Sequence, residues 1–267
     1  MSTFHRSLCV FGLGLLFSAC DDPAKPDAAA SAAATASAAP SAKPAPSAAA
    51  PEAEKPPPPK VTKKLEDCPK GPNVTFDQKE IEAEVRKKLQ KPDGAITNAD
   101  LKKVKSLNLS QVKMAGLDIC IFSQLTGLKD LFLGPGDYDD LTPIASAKDL
   151  ESLAASRNQI KDLTPLAKLT KLDRLDLGRS QVSDLKPIAG LTSLTEIALD
   201  DCPVEDISPL AKMTKLEKLS IQRTKVKDAS PLKAIKGLKF VYVAGTPADE
   251  DGLTLAPLRG NGTKVIN

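Results

Sequence analysis

The sequence predicts an α/β solenoid, with parallel β-strands on a concave face, short helical turns on a convex face and a helical cap at the N-terminal end. Three observations carry that expectation. An apolar residue recurs every 22 residues, at Leu128, Leu150, Leu172, Leu194, Leu216 and Leu238. Each is followed three residues on by a second apolar (Leu131, Leu153, Leu175, Ile197, Leu219, Val241) and two further by a third (Leu133, Ala155, Leu177, Leu199, Ile221, Val243). Each unit then reaches a proline-marked turn, as in Leu141-Thr-Pro-Ile, Leu163-Thr-Pro-Leu, Leu185-Lys-Pro-Ile, Ile207-Ser-Pro-Leu and Ala229-Ser-Pro-Leu. A fixed period of this size marks stacked units, none of which can bury its apolar face alone.

Within a unit the L-x-x-L-x-L segment reads as a short strand with apolar residues inward and the intervening ones outward. Ile160, Val182, Val204 and Val226 re-enter the core, followed by an aspartate at 140, 162, 184, 206 and 228. Thr or Ser before Pro reads as an N-cap, with proline at the first helical position where its missing N–H is harmless. Leu169, Leu191, Met213 and Ile235 close these turns. Strand in front and turn behind force a curved stack of parallel strands about 4.8 Å apart.

These units resemble the internalin-type leucine-rich repeat family in its 22-residue form, whose D-[LI]-[ST]-P-L turn they carry from about Phe76 to the C-terminus. The resemblance implies a leucine-rich repeat solenoid. It departs at one position: the family places asparagine nine residues into the unit, where this chain has Gly136, Asn158, Ser180, Cys202, Thr224 and Thr246. Small hydroxyl residues there can supply part of the inner hydrogen-bond ladder, at some loss of stability.

Residues 1–20 read as a targeting segment, with Arg6, an apolar core over Leu8–Phe17 and Phe17-Ser-Ala-Cys20. That ending resembles the bacterial lipobox, although Phe17 replaces the usual leucine. The resemblance implies that Cys20 is lipidated and anchors the protein to a membrane of a bacterial cell envelope; the alternative is cleavage that releases a soluble chain. The apolar run is too short to span a bilayer. Residues 21–60 are mostly Ala, Pro, Ser and Lys and hold no Leu, Ile, Val, Met or aromatic residue, which predicts a disordered tether. Its coil average would be roughly 35–40 Å and its full reach on the order of 100 Å.

Residues 61–103 read as an N-terminal cap. Asp77 is the expected N-cap of a helix with the inward stripe Ile81, Val85 and Leu89, ended by Pro92-Asp-Gly94. Ile96–Leu101 resembles the cap element before the first strand of internalin-type proteins. Repeats follow over 104–247, the first strand at Lys105–Leu109 in a unit that Met114–Leu117 lengthens by two residues. Residues 248–267 form the closing cap, expected as a helix over Ala248–Leu258 and a strand at Lys264–Ile266.

Three cysteines lie beyond Cys20. Cys68 and Cys120 both belong to the N-terminal end, so theirs is the preferred bond among the three pairings, with three free thiols as the alternative. Cys202 is expected as a small buried apolar group. The one histidine, His5, lies in the targeting segment, so no catalytic imidazole or imidazole metal ligand remains. Asp137-Tyr-Asp-Asp140 and Asp249-Glu-Asp251 lack the downstream glutamate of a calcium loop. Gly134-Pro-Gly136 and Gly260-Asn-Gly262 lack phosphate-loop spacing. Asp176, Glu196 and Asp200 are the clustered carboxylates a hydrolase would need, but an open ladder offers no pocket to shift their pKa values. With 37 basic against 34 acidic residues the net charge is +3, which does not point to nucleic acid. No enzyme, cofactor or metal is expected, and a monomer is.

The outward strand positions form three rows. The third positions are Asp130, Ser152, Arg174, Glu196, Lys218 and Phe240; the fifth are Phe132, Ala154, Asp176, Ala198, Ser220 and Tyr242; the eighth are Pro135, Arg157, Arg179, Asp201, Arg223 and Gly245. Arg174–Glu196–Lys218 and Arg179–Asp201–Arg223 are then rows of alternating sign. One reading makes them lateral packing and solubility devices; the other makes the face a protein-recognition surface, with Phe132, Arg157, Arg174, Asp176, Arg179, Glu196, Asp200, Asp201, Arg223 and Tyr242 as candidate contacts. A structural or glycan-contacting envelope component is the alternative function. Glycan binding favours aromatic platforms, and the chain offers no Trp and only Tyr138 and Tyr242.

Overall fold

The computed structural model describes residues 64–112 and 116–267. The expected targeting segment with Cys20, the tether over 21–60, and Met114 in the lengthened first unit lie outside these residues.

Eight strands build one parallel sheet in chain order: β1 (Ser106–Leu109), β2 (Asp130–Leu133), β3 (Ser152–Ala154), β4 (Arg174–Asp176), β5 (Glu196–Ala198), β6 (Lys218–Ser220), β7 (Phe240–Tyr242) and β8 (Lys264–Ile266). The register runs Leu131, Leu153, Leu175, Ile197, Leu219, Val241, each opposite the next. At both ends it lengthens: Leu107 pairs with Leu131 and Val241 with Val265, each two residues beyond the period of the repeats. The strand leucines and the turn residues Leu166, Ile188, Leu210 and Leu232 are essentially solvent-free, so the core is one continuous column between sheet and turns. All eight strands and this column lie within a single compact unit with a hydrophobic core of its own, the property of a domain that can fold alone.

The convex side consists of 3-10 turns at Thr142–Ile144, Thr164–Leu166, Lys186–Ile188, Ser208–Lys212 and Ser230–Ala234. The expected Thr/Ser cap is corrected here. Thr142, Thr164, Lys186, Ser208 and Ser230 are the first residues of the turns, and the apolar residue before each gives no capping bond. The cap is the preceding aspartate. Asp140 Oδ1 accepts from the Thr142 N–H at 2.7 Å, and Asp162, Asp184, Asp206 and Asp228 repeat the bond at 2.8, 2.9, 2.8 and 2.8 Å. The reason is local. Proline has no N–H, so the donor left open is that of the residue before it, which a carboxylate two positions back reaches as an Asx turn. The residue between them is then free to point inward, and Leu141, Leu163, Leu185, Ile207 and Ala229 are all buried.

The inner ladder is built from mixed chemistry. Asn158 Nδ2 donates to the carbonyls of Gly134, Ala155 and Ser156. Cys202 Sγ donates to Leu177 O, while Thr224 and Thr246 donate to Ile221 O and Val243 O. Cys202 is thus buried but also bonded, and burial raises its thiol pKa.

At the N-terminal end, α1 (Lys79–Leu89) buries Ile81 and Val85. Its N-cap is Gln78 rather than Asp77, without a side-chain bond, and it ends before Pro92, at Gln90 in the left-handed region (φ 53°). The short α2 (Asn98–Leu101) has a complete capping box: Thr97 Oγ1 accepts from Asp100 N–H and Asp100 Oδ2 accepts from Thr97 N–H. Cys68 and Cys120 are joined, with Cα atoms 5.3 Å apart, which ties the start of the cap to α3 (Ile119–Phe122). At the other end the single expected helix is two, α4 (Pro247–Asp251) and α5 (Ala256–Gly260), because Gly252 turns left-handed (φ 66°) between them. No helix among the described residues is long and apolar enough to cross a membrane.

Candidate functional site: the concave face and its arginine rim

Each strand delivers its outward side chains to the concave face, and the chain then bends sharply toward the inner turn. That bend is made by a residue in the left-handed region in each of the five coils of β3 to β7: Arg157 (φ 61°), Arg179 (58°), Asp201 (59°), Arg223 (54°) and Gly245 (69°). Glycine takes this conformation freely, whereas other side chains disfavour it by about 1–2 kcal/mol. Four of five coils nevertheless carry a charged residue there, and all four project along one rim.

Asp201 sits between two of the arginines. Arg179 Nε approaches Asp201 Oδ2 at 3.3 Å, and Arg223 Nη2 donates to the same oxygen at 2.7 Å while its Nε holds Oδ1. The Arg223 hydrogen bond, then that of Arg179, holds the Asp201 carboxyl at about 2, and the carboxylate in turn raises the Arg223 pKa. Arg157 lies in the same row, exposed and without an ion pair among the described residues. The third row behaves differently. Arg174, Glu196 and Lys218 stand in register but form no ion pair among the described residues. Lys218 instead places its ammonium 5.8 Å from the centre of the Tyr242 ring, and Lys264 does the same over Phe240 at 5.6 Å.

The family of leucine rich repeats, in two copies, matches residues 148–190. With the register and the turns, that decides the architecture. The fold is a leucine-rich repeat solenoid. It is similar to an internalin (inlF) of Listeria monocytogenes, at 29% identity and TM-score 0.59 over 62% of this chain and 49% of that one. It is also similar to internalin C2 of the same species, at 26% and 0.56 over 70% and 91%. A leucine-rich repeat protein of Leptospira interrogans shares the fold at 19% and 0.51 over 63% and 50%. The chain thus spans about half the length of the first and third of these. No curated protein matches it by sequence.

Two of the three carboxylates singled out from the sequence, Asp176 and Asp200, are tied into the solenoid, while Glu196 stands on the open face. Asp176 Oδ1 accepts from Gly178 N–H at 3.0 Å. Asp200 Oδ1 accepts from the Ser220 hydroxyl at 2.6 Å and from Gln222 N–H at 2.8 Å, fastening one coil to the next. The face is not featureless, as the open ladder had suggested. A shallow hollow of about 520 Å³ lies over β2 to β6, where Ser152, Ala154, Ala198 and Ser220 leave room among Phe132, Arg174, Asp176, Glu196 and Lys218. Asp200 does not line it. Phe132 stands at its edge, more than a third exposed.

Tyr138 is not part of this surface. It occupies the re-entry position that Ile160, Val182, Val204 and Val226 hold in later coils, is fully buried, and burial pushes its phenol up to about 12. No cluster of three His, Cys, Asp or Glu among the described residues could hold a metal ion. The left-handed rim was missed from the sequence, although a signal was present: the eighth position ends in glycine at Gly245.

Proposed function

We propose that this chain is a protein-binding module of a bacterial envelope, held to a membrane through lipid on Cys20 and offering its concave face and arginine rim to a protein ligand. The observation that carries the reading is the run of Arg157, Arg179 and Arg223 kept in left-handed conformations beside a register-aligned face, where glycine would fold with less strain. Arginine in such a place favours recognition of planar acceptors, and only Arg179 and Arg223 have an internal partner to explain them. The likeness to the two internalins and the Phe17-Ser-Ala-Cys20 sequence support the setting. The glycan alternative loses one of its two tyrosine platforms, because Tyr138 is buried, and Tyr242 already carries the Lys218 ammonium over its ring.

The test uses residues 57–267 as bait against envelope proteins, with Arg157→Ala, Tyr242→Ala and the convex-turn control Lys186→Ala. The expected outcome is that the first two lose a defined captured partner while all three keep the parental melting temperature. Loss with Lys186→Ala alone would move recognition to the convex side. Fractionation of the full chain with Cys20→Ala tests the anchor separately, and a variant that stays on membranes would end the lipid reading.

A further inference from the structure

The rim opposite the arginines has its own character. There each coil leaves its 3-10 turn and enters the next strand, and the cations are all lysines. Lys168 and Lys212 hold equivalent places two coils apart, as do Lys171 and Lys215; in the following coil Lys233, within the turn Ser230–Ala234, and Lys236 each stand one residue ahead of those places. The acids on this rim are already engaged. Lys171 holds Asp149 at 2.6 Å, Lys129 holds Glu151 at 2.6 Å, Lys239 holds Glu217 at 2.7 Å, and Asp173 accepts from the Thr195 hydroxyl at 2.7 Å. Lys168, Lys212, Lys215, Lys233 and Lys236 are left exposed, with no ion pair among the described residues. At about 4.8 Å per coil these five charges span roughly 15 Å, less than two Debye lengths at physiological salt. They therefore act as one field. The arginine rim, by contrast, shares the single negative charge of Asp201 between two of its cations.

A compact ammonium on a flexible stem suits a mobile array of phosphates, whereas the planar fork of arginine suits a fixed carboxylate. Clusters of four to eight such cations are the usual footprint of an anionic lipid surface. We propose that this lysine rim docks against anionic phospholipid headgroups. The strands then stand on end, the concave face opens sideways, and Arg157, Arg179 and Arg223 point away from the bilayer. The setting rests on the membrane anchor of the function proposed above, but the contact itself needs no lipid on the protein.

The experiment floats residues 57–267, which lack Cys20, with vesicles of phosphatidylcholine made with or without phosphatidylglycerol. The expected result is flotation with phosphatidylglycerol only, declining as salt rises. Replacing Lys212, Lys215, Lys233 and Lys236 together by Gln should weaken partitioning by several hundred-fold, at about fivefold per lysine. Arginine at the same four positions should restore it, and Arg157→Gln should leave it unchanged, with all variants melting as the parent does. Equal flotation on pure phosphatidylcholine, or parental flotation of the Gln variant, overturns the proposal. So does binding of duplex DNA as tight as that of the vesicles, which would make the patch a general polyanion site. If this piece fails to float while the full chain still depends on Cys20 for its membrane location, the rim is wrong and the anchor stands.

Discussion

Asp162 takes its place in the fold through one oxygen, which accepts the Thr164 N–H just ahead of a proline. A capping bond of this kind contributes about 1 kcal/mol, so Asp162→Ala should lower stability by about that amount in urea melts. Thr164→Ala should cost less, since the Thr164 hydroxyl only adds a side-chain bond to the Asp162 carboxylate and leaves the capping bond to the backbone N–H in place. The reverse order would restore the hydroxyl as the cap. The same carboxylates set a pH dependence. Hydrogen bonds from Thr164, Ser208 and Ser230 hold Asp162, Asp206 and Asp228 below the usual carboxylate value, and Arg223 with Arg179 holds Asp201 at about 2. A depressed folded-state pKa stabilises above the unfolded value and loses that contribution as protons bind. Stability should therefore be flat from neutrality to about pH 4 and fall between about pH 4 and pH 2. A melting temperature unchanged across that acid window would contradict the caps.

At the scale of the element, the strands were legible because an inward residue every 22 positions leaves no other register. Leu175 is buried in the middle of the stack, and Leu175→Ala should cost about 2–5 kcal/mol. Asp173→Ala, two residues earlier, forfeits a part-exposed bond to Thr195 and should cost about 1 kcal/mol. Comparable losses in chemical denaturation would mean that the inward set is wrong. What could not be read was conformation without a periodic signature. Tyr138 looks like a surface aromatic by composition, yet it fills the slot of a β-branched core residue. The left-handed bend at Arg157 and Arg179 violates residue preference, so propensity argued against it. The third row looked like an ion-pair ladder from spacing alone, but spacing fixes which residues are neighbours and not which way long side chains turn; Lys218 turned to a ring. The Cys68–Cys120 bond closes a span of 52 residues at the capped end. In the chain-entropy account such a loop contributes about 4 kcal/mol, so reduction or Cys120→Ser should lower the melting temperature markedly while Cys202→Ser does not.

A solenoid has no closed core, and each coil is covered only by its neighbours, so the whole molecule depends on its two ends. The N-terminal end is covered by α1 and fastened by a disulfide. The C-terminal end has no covalent clamp. There β8 hydrogen-bonds to β7, Ala248 N–H donates to Val226 O, Thr254 Oγ1 accepts from Ala229 N–H, and Leu255 and Leu258 complete the core. Removing residues 247–267 would expose Leu238, Val241 and Val243 on one flat edge and leave the backbone groups of β7 unpaired, the combination that templates edge-to-edge pairing between chains. The expected outcome is a truncated chain that elutes as dimers or larger species and melts lower, even with the disulfide intact. Substituting Val241 by Lys in the truncated chain separates the two causes. It should restore the monomer if exposed apolar surface drives association, and should not restore the melting temperature, because the lost coil is still missing. A truncated chain that stays monomeric and melts like the parent would mean that the last coil is an ornament on the stack rather than its closure.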